Sequence, residues 1–413
     1  GSIIIKATKN GEKSSVNQLI KLIESSKPEN AKIVKAADKW ATWIVAVAFV
    51  CSIGTWIVTH EILRSVTVLV VFCPCALVLA TPTTIMAAIG NLSKKGILVK
   101  DGESLEELAK VNDLILDKTG TLTKGIFKVT ELHPIDTTDE KLLEVCAKAE
   151  NYSSHPIAMS LKQAYSKEID ETSVKNIEEI AGKGVKAEID GEEILAGNAS
   201  LMDMFDIEYT KAQTSGTIVY AARNKKFIGY IVISDEIKED SKSAITELNK
   251  IAKQTVMLTG DAKSTAEHVA QELGVKKVFS ELLPAQKVEE LEKLIENKDK
   301  NKSIIFVGDG INDAPVLTRA DIGIAMGGLG SDAAIEAADA VIMDDKPSKI
   351  TKAILIAQKT MSIVKQNIIF ALGIKALFLI LGAFGIITMW GAVFADTGVA
   401  LLAVLNSLRA LKA

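Results

Sequence analysis

An aspartate directly after an apolar run is the residue in this chain best placed for chemistry. The pentapeptide Asp-Lys-Thr-Gly-Thr at residues 117–121 follows Leu-Ile-Leu at residues 114–116. Because catalytic groups of parallel α/β sheets collect at the carboxyl ends of strands, Asp117 is placed as a nucleophile that can accept a phosphoryl group. Gly120 lets the backbone turn closely around a phosphate. A lone aspartate after a strand is more often a helix cap, so this interpretation depends on partners elsewhere in the chain.

Three later segments carry further residues that phosphoryl chemistry needs. Two carboxylates about 4 Å apart repel by roughly 4 kcal/mol at an effective dielectric of about 20, so several in one crevice require a cation. Mg²⁺ supplies that charge, and Lys287 and the Thr259 hydroxyl are expected to hold phosphoryl oxygens. Each segment alone is an ordinary turn, loop or helix, but together in this order they indicate a phosphoryl-transfer site. The segments are Thr259-Gly260-Asp261, Leu283-Pro284-Ala285-Gln286-Lys287 and Gly308-Asp309-Gly310-Ile311-Asn312-Asp313.

Apolar and charged residues are segregated along the 413 residues, of which 48% are hydrophobic and 24% charged. Apolar stretches at 43–59, 66–89, 368–387 and 389–408 each approach the roughly 20 residues needed to span a bilayer. A buried core helix would explain any one of them. Their number and the tryptophans near their ends favour spanning helices. The sequence therefore predicts an integral membrane protein with the lipid bilayer as a partner.

Basic residues flank one end of each stretch, which by the positive-inside rule places the soluble block in the cytoplasm. The predicted location is the plasma (inner) membrane. A formal net charge of −4 and the absence of a basic patch with interleaved aromatics argue against nucleic acid as a partner. The flanking residues are Lys32, Lys35, Lys39, Lys94, Lys95, Lys100, Lys359, Lys365, Arg409 and Lys412.

The soluble block alternates apolar strands with amphipathic helices, as a doubly wound α/β sheet requires. Strands are predicted at 113–116, 255–258, 303–307, 322–325 and 340–343, and helices at 238–253, 264–273 and 285–295. Between residues 129 and 231 this alternation is interrupted, which indicates an inserted α+β domain. Asp190-Gly191 in this stretch is typical of a hairpin turn. A further strand at 2–8 and a helix at 14–26 are predicted before the first span.

These motifs resemble the haloacid dehalogenase-like phosphorylation domain of the P-type ATPases, because Asp-Lys-Thr-Gly-Thr, Thr-Gly-Asp and Gly-Asp-Gly-Ile-Asn-Asp-Ala-Pro all occur intact. The resemblance implies that ATP phosphorylates Asp117 and that Asp117, Thr119 and Asp309 bind Mg²⁺. Related soluble phosphatases place a second aspartate where this chain has Thr119, so the aspartyl phosphate is expected to persist. The candidate catalytic residues are Asp117, Lys118, Thr119, Thr259, Gly260, Asp261, Lys287, Asn312 and Asp313.

The inserted domain resembles the adenosine-binding domain of heavy-metal P-type ATPases. The likeness is carried by Ser-Ser-His-Pro at 153–156, by Glu150 and by Gly182-Lys183-Gly184. It implies that His155 stacks on adenine and Glu150 accepts from its amino group. Gly182 and Gly184 would let the backbone approach the base closely.

Cys73-Pro74-Cys75 lies within the second apolar stretch. Residues two apart on a regular helix point to nearly opposite sides, but Pro74 cannot donate to the Val70 carbonyl, so the helix must kink or unwind. Both thiols can then converge on one ion. Thiolates select soft or borderline metals, which excludes Na⁺, Ca²⁺ and Mg²⁺ as cargo. The alternative is two small buried cysteines beside a kink.

Lys375 and Asp396 are ionisable residues inside the last two apolar stretches. An isolated charge there costs about 2.5–3.5 kcal/mol on insertion scales, so a functional role or a structural salt bridge is expected. Asp396 would ligate a divalent ion, and Lys375 would act as a counter-cation. Residues 395–409 resemble the last helix of zinc, cadmium and lead exporters, whereas the Tyr, Asn, Met and Ser signatures of cuprous pumps are missing. The predicted cargo is Zn²⁺ and Cd²⁺, with Pb²⁺ as a further candidate.

The chain departs from complete exporters in having no Thr-Gly-Glu, the actuator motif that directs water at the phosphoaspartate. It is therefore expected to be the C-terminal portion, partnered by an N-terminal half. The alternatives are a truncated fragment that binds ATP and autophosphorylates without transport, or a Cu⁺ exporter. The predicted divisions are an actuator remnant at 1–36, membrane helices at 37–92 and 347–413, the phosphorylation domain at 93–128 and 232–346, and the nucleotide-binding domain at 129–231.

Overall fold

A computed structural model of the chain describes residues 31–153, 155–180, 182–212, 216–309, 313–327, 332–383 and 386–413. The strand predicted at 2–8 and the helix predicted at 14–26 lie outside the described residues. So do most of the predicted actuator remnant and the candidate catalytic residue Asn312.

The described elements alternate strands and helices between two groups of long apolar helices. The strands are β1 (Ile97–Val99), β2 (Val111–Asp117), β3 (Thr123–Pro134), β4 (Val174–Ile180), β5 (Gly184–Ile189), β6 (Glu192–Gly197), β7 (Thr217–Arg223), β8 (Lys226–Ile237), β9 (Gln254–Leu258), β10 (Lys277–Phe279), β11 (Ser303–Gly308), β12 (Ile322–Met326) and β13 (Ala340–Ile342). The helices are α1 (Lys32–Thr59), α2 (Ile62–Val71), α3 (Cys75–Lys94), α4 (Gly102–Leu108), α5 (Asp139–Ala149), α6 (Pro156–Tyr165), α7 (Ala199–Met204), α8 (Ser241–Ile251), α9 (Lys263–Leu273), α10 (Pro284–Glu296), α11 (Ala314–Arg319), α12 (Asp332–Ala337), α13 (Ser348–Ala383), α14 (Met389–Val393) and α15 (Val399–Ser407).

A seven-stranded sheet forms the larger soluble domain, with strand order β1-β13-β12-β11-β2-β9-β10. All its neighbouring pairs are parallel except β1 with β13 at one edge. Every residue of β2 is buried, since helices cover both faces of the sheet. The five strands predicted from sequence are all present, with ends that differ by no more than two residues.

A six-stranded antiparallel sheet, β3-β8-β7-β6-β5-β4, forms the inserted domain. Asp190 and Gly191 both have positive φ values (53° and 80°) at the turn between β5 and β6, as a hairpin of this kind requires. Strands β3 and β8 are each 12 residues long, and their pairing runs from the larger soluble domain into the insert. The predicted divisions at 128/129 and 231/232 fall inside these two strands, because the pair is continuous between the two sheets.

Four segments are long and apolar enough to cross a membrane: Lys32–Thr59, Ile62–Lys94, Ser348–Gly382 and Met389–Lys412. Two of them begin well before the apolar stretches seen in the sequence. The inner ends of α1, α3 and α13 pack in one hydrophobic core with the seven-stranded sheet, through residues such as Val34, Ile85 and Ile354. The membrane helices and the larger soluble domain therefore share a continuous core.

Candidate functional sites

Neighbouring strands bring the predicted phosphoryl-transfer residues together. Asp117 ends β2, Thr259 follows β9 and Asp309 follows β11, and β2 lies between the other two strands. Carboxylate oxygens of Asp117, Asp309 and Asp313 all lie within 4.8 Å of one another. The carboxyl edge of the parallel sheet thus carries the crevice that the strand pattern predicted.

Lys287 reaches this cluster from the first turn of α10. Its Nζ donates to Asp117 Oδ1 at 2.6 Å and to Asp313 Oδ1 at 2.9 Å. Burial alone would lower the pKa of Lys287, but the two carboxylates outweigh it and raise that pKa. Lys287 therefore stays an ammonium that partly neutralises the cluster.

Among the described residues, three clustered carboxylates share the single ammonium of Lys287 as their ion-pair partner, with Lys238 acting on Asp309 from further away. Burial raises the pKa of Asp117 well above its usual range, and Asp313 adds to the rise. Burial also raises the pKa of Asp309 to about 6, again with a contribution from Asp313. Clustered hard oxygens with uncompensated charge are the donor set that Mg²⁺ prefers, so these residues fit that ion.

The loop after β2 is shaped around Asp309. Gly120 has a φ of +71°, and a methyl group at its Cβ position would lie 1.7 Å from Asp309 Oδ2. Only glycine fits that backbone conformation and that close approach. Thr119 beside it is exposed, with an extended backbone.

Lys118 and the Thr-Gly-Asp segment lie beside the carboxylate cluster. Lys118 Nζ is 2.5 Å from Asp261 Oδ2, and the Thr259 hydroxyl accepts from the Asp261 backbone N–H at 3.1 Å. Thr259 is buried, and Gly260 passes close to the Leu282 carbonyl. These contacts hold Lys118 and Asp261 at the mouth of the site.

A second pocket, of about 260 Å³, lies in the inserted domain and is lined by all four residues predicted to bind a nucleotide. Glu150 is mostly buried there, and burial raises the pKa of its carboxyl group. His155 Nδ1 accepts from the Ile157 N–H at 3.3 Å, so His155 caps α6 with its ring. Gly184 has a φ of +141°, and a Cβ there would lie 2.3 Å from the Ala196 carbonyl oxygen.

A cleft of about 560 Å³ joins the two soluble domains and is lined from both sides, by Lys118, Asp261, Thr217 and Ser234 among others. Sequence reasoning missed Asp235, which lines this cleft, and Lys238, which follows it in the chain. Asp235 accepts from the Thr123 hydroxyl at 2.5 Å, and Lys238 Nζ donates to the Gly120 carbonyl at 2.5 Å. Their only sequence signal was polar residues directly after the apolar run of β8.

The membrane helices bring a third set of residues together. The helix is interrupted at Pro74, with α2 ending at Val71 and α3 beginning at Cys75. Sulfur atoms of Cys73 and Cys75 and an oxygen of Asp396 lie within 4.8 Å of one another. The two sulfur atoms lie side by side, so both can reach a single ion.

Lys375 on α13 completes this set. Its Nζ is 3.1 Å from Asp396 Oδ1 and donates to the backbone carbonyls of Val71 and Cys73. Asp396 lies in a widened π-helical turn, Phe394–Gly398, between α14 and α15. Such turns are frequent at functional sites. The ammonium thus contacts both the carboxylate and the interrupted helix.

Comparison with known proteins first defines the class of the soluble part. Residues 114–321, half of the chain, match the family of haloacid dehalogenase-like hydrolases. The match covers the seven-stranded sheet from within β2 to the start of β12, together with the insert.

Full-length relatives define the family more closely. The chain is 47% identical to a cadmium, zinc and cobalt-transporting ATPase of Bacillus subtilis and 44% identical to a zinc-transporting ATPase of Synechocystis, over 100% of its own length. It spans about 60% of the length of these curated relatives. A crystal structure of a zinc-transporting PIB-type ATPase in its E2.Pi state matches 98% of this chain and 68% of that one, with a TM-score of 0.77 and 32% identity.

The chain belongs to the heavy-metal (type IB) P-type ATPases, alongside the zinc and cadmium transporters. The family membership and the fold class predicted from the sequence are therefore confirmed.

Proposed function

We propose that this chain drives the export of Zn²⁺ and Cd²⁺, with Pb²⁺ as a further candidate, by way of an aspartyl phosphate formed from ATP. The observation that carries the proposal is the pairing of two sites in one chain. One is the Asp117 crevice with Lys287, and the other is the sulfur and carboxylate cluster in the membrane helices. The zinc and cadmium transport of the relatives supports the same assignment.

Phosphoryl transfer is proposed to begin with attack of an Asp117 carboxylate oxygen on the γ-phosphorus of ATP. A bond forms between that oxygen and phosphorus, the bond from phosphorus to the bridging oxygen of ADP breaks, and ADP leaves with the electron pair. Lys287 opposes the burial that raises the pKa of Asp117 and so favours the ionised nucleophile. Mg²⁺, held by Asp117, Thr119 and Asp309, would neutralise charge on the transferring group.

The remaining predicted residues are proposed to position the nucleotide. Lys118, Thr259, Gly260, Asp261 and Asp313 surround the point of transfer, and Asn312 is assigned to the same site from the sequence motif. The inserted-domain pocket is proposed to hold adenosine through Glu150, His155, Gly182 and Gly184. The cleft between the two soluble domains gives a bound nucleotide room to reach from one site to the other.

The cargo is proposed to bind between Cys73, Cys75 and Asp396 once the cysteines are reduced. Two thiolates and one carboxylate suit a borderline divalent ion such as Zn²⁺ better than Cu⁺, which prefers sulfur alone. Lys375, 3.1 Å from Asp396, is proposed as the cation that takes the place of the departing metal. The plasma (inner) membrane is the proposed location, with the soluble domains in the cytoplasm.

Hydrolysis of the phosphoaspartate is proposed to need an actuator domain with a Thr-Gly-Glu loop, which these 413 residues do not contain. We propose that an N-terminal portion supplies it, in keeping with the 60% coverage of the relatives. The competing hypothesis is a chain that phosphorylates itself once and transports nothing.

Metal specificity tests the proposed cargo. In reduced, reconstituted protein, Zn²⁺ and Cd²⁺ are expected to stimulate labelling by [γ-³²P]ATP, because thiolates and a carboxylate bind them together. Cu⁺ and Ag⁺ are expected to stimulate it weakly. If Cu⁺ or Ag⁺ stimulated the labelling and neither Zn²⁺ nor Cd²⁺ did, the transported ion would be Cu⁺ and the proposed cargo would be wrong. When an N-terminal portion with the actuator loop is added, label that decays with repeated turnover supports the exporter, whereas stoichiometric label that still never decays supports the truncated fragment.

The nucleotide pocket gives a second test, through Gly184→Ala. The new methyl group would meet the Ala196 carbonyl at 2.3 Å, so ATP affinity measured by calorimetry is expected to fall at least about tenfold through a distorted pocket wall. Gly191→Ala, at the turn between β5 and β6, is the matched control, because its φ is also positive (80°) but no atom lies within 4 Å of its Cβ position. Equal losses in the two variants would show that backbone strain alone matters and that the β5–β6 wall does not shape the ATP site.

A further inference from the structure

Residues 238–241, which run from the end of β8 to the first residue of α8, contact the loop that follows Asp117. The Lys238 backbone N–H donates to the Leu122 carbonyl at 3.1 Å, and the Ser241 hydroxyl donates to the same oxygen at 2.7 Å. Lys238 Nζ donates to the Gly120 carbonyl. Ser241 is fully buried. We call residues 238–241 the connecting segment, because its other contact is with a membrane helix.

Asp240 in the connecting segment holds the start of that helix. Its Oδ2 accepts from the backbone N–H of Ser348, the first residue of α13, at 2.9 Å. The first N–H groups of a helix have no partner within the helix, and a carboxylate there also opposes the positive end of the helix dipole. Asp240 therefore attaches the start of α13 to the connecting segment, although Ser348 lies 108 residues after Asp240 in the chain.

Helix α13 continues from this attachment to the membrane site. Lys375 lies 27 residues after Ser348 on the same helix, a rise of about 40 Å at 1.5 Å per residue. The first turns of α13 pack against α8, and Ile350, Ile354 and Ile245 belong to the same hydrophobic core. At the far end, Lys375 contacts the Cys73 carbonyl and Asp396.

The loop that follows Asp117 lies against the carboxylates of the crevice. Asp309 lies directly against the Gly120 backbone, since a Cβ at Gly120 would be only 1.7 Å from Asp309 Oδ2. The Gly120 and Leu122 carbonyls are the groups that the connecting segment binds. Contacts are therefore continuous from the crevice to the membrane site, and each is a hydrogen bond or a packed helix.

We propose that Asp240 is a positioning residue that couples phosphorylation of Asp117 to the membrane metal site, by fixing the start of α13 to the connecting segment. This inference rests on the proposed function, since coupling requires both an aspartyl phosphate and a bound metal. Asp240 touches neither reactant. Its loss should break the linkage between the two sites while leaving each site able to bind its own ligand.

Phosphoenzyme formation measured against Zn²⁺ concentration tests the inference. Asp240→Ala is expected to reduce the Zn²⁺ stimulation of ³²P labelling about tenfold, the loss that corresponds to one hydrogen bond to a charged group. Affinities for Zn²⁺ and ATP, measured separately by calorimetry, are expected to stay within twofold of wild type. Asp240→Asn keeps an acceptor oxygen for the Ser348 N–H, so it is expected to restore most of the stimulation. Thr138→Ala removes a comparable helix cap, at α5 of the inserted domain, and is expected to change nothing.

Ser241→Ala gives an independent test, because it breaks the contact between the connecting segment and the loop instead. If the contacts act in series, the double variant Asp240→Ala/Ser241→Ala loses no more stimulation than the worse single variant. Additive losses would overturn the coupling, and so would unchanged stimulation in Asp240→Ala or a parallel loss of Zn²⁺ affinity. A wild-type chain without metal-dependent labelling would overturn the proposed function itself, and with it this inference.

Discussion

Asp117→Asn is expected to abolish the transfer of ³²P from ATP to this chain. An amide oxygen is a poor nucleophile, and loss of a covalent nucleophile lowers turnover by roughly 10⁴-fold or more. The variant should still bind ATP at least as tightly as wild type, since one negative charge facing the phosphates is gone. Acid-quenched gels measure the label, and calorimetry measures ATP binding.

Asp113→Asn is the matched control for that experiment. Asp113 is also buried in β2, but it lies at the opposite end of the strand, where its Oδ2 accepts from Gln254 Nε2 at 3.1 Å. Four residues of strand place it about 13 Å from Asp117. Labelling should survive in Asp113→Asn. If that variant lost its label while Asp117→Asn kept it, the nucleophile has been assigned to the wrong end of the strand.

Cys73→Ser and Cys75→Ser are expected to remove metal-dependent labelling and to weaken Zn²⁺ binding more than about 100-fold. Loss of a residue that orients a metal ligand without binding the metal lowers metal affinity about 10–100-fold. Cys73 and Cys75 are themselves ligands, and a neutral hydroxyl binds a metal much more weakly than a thiolate, so a larger loss is expected. Binding is measured by calorimetry on reduced protein, because the thiolate is the form of cysteine that ligates a metal.

Cys51→Ser controls for the general effect of removing a thiol from the membrane helices. Cys51 is a free, half-buried cysteine on α1. Zn²⁺ affinity in this variant should match that of wild type. Equal weakening in Cys51→Ser and Cys73→Ser would mean that the interrupted helix at Pro74 does not define the metal site.

The sequence predicted the centre of the fold well because β2, β9 and β11 are short apolar runs that end in unusual polar motifs. Buried parallel strands have that signature, and polar residues at their carboxyl ends are brought together by the order of strands alone. Asp117, Thr259 and Asp309 could therefore be assigned to one crevice without coordinates. The interruption at Pro74 was predictable for a similar reason, since proline lacks the N–H that a helix needs.

The sequence predicted the ends of the membrane helices poorly. Helix α13 begins at Ser348, 20 residues before the apolar stretch predicted at 368. That difference is a helical rise of about 30 Å. Its first turns bury residues such as Ile350 against the seven-stranded sheet and keep polar residues on the other side. Hydropathy detects only the half of the helix that faces lipid, so the half that packs on protein was missed.

Lys238 and Asp240 could not be found from the sequence at all. Each is an ordinary charged residue in a short connection, and its importance depends on contacts with Gly120 and with Ser348, which are more than 100 residues away. The same holds for the continuous pair of β3 and β8, because long-range pairing and not composition decides where one domain passes into the next.

The covalent state of Asp117 after exposure to ATP is the decisive measurement for the proposed phosphoryl transfer. Reduced, reconstituted protein is mixed with ATP, Mg²⁺ and Zn²⁺, quenched in acid and treated with borohydride, which converts an aspartyl phosphate to homoserine. Mass spectrometry of the peptide that contains residue 117 should then show homoserine at that position, only when ATP and Zn²⁺ are both present. An unmodified Asp117 beside a phosphorylated serine or threonine elsewhere in the chain would contradict the account.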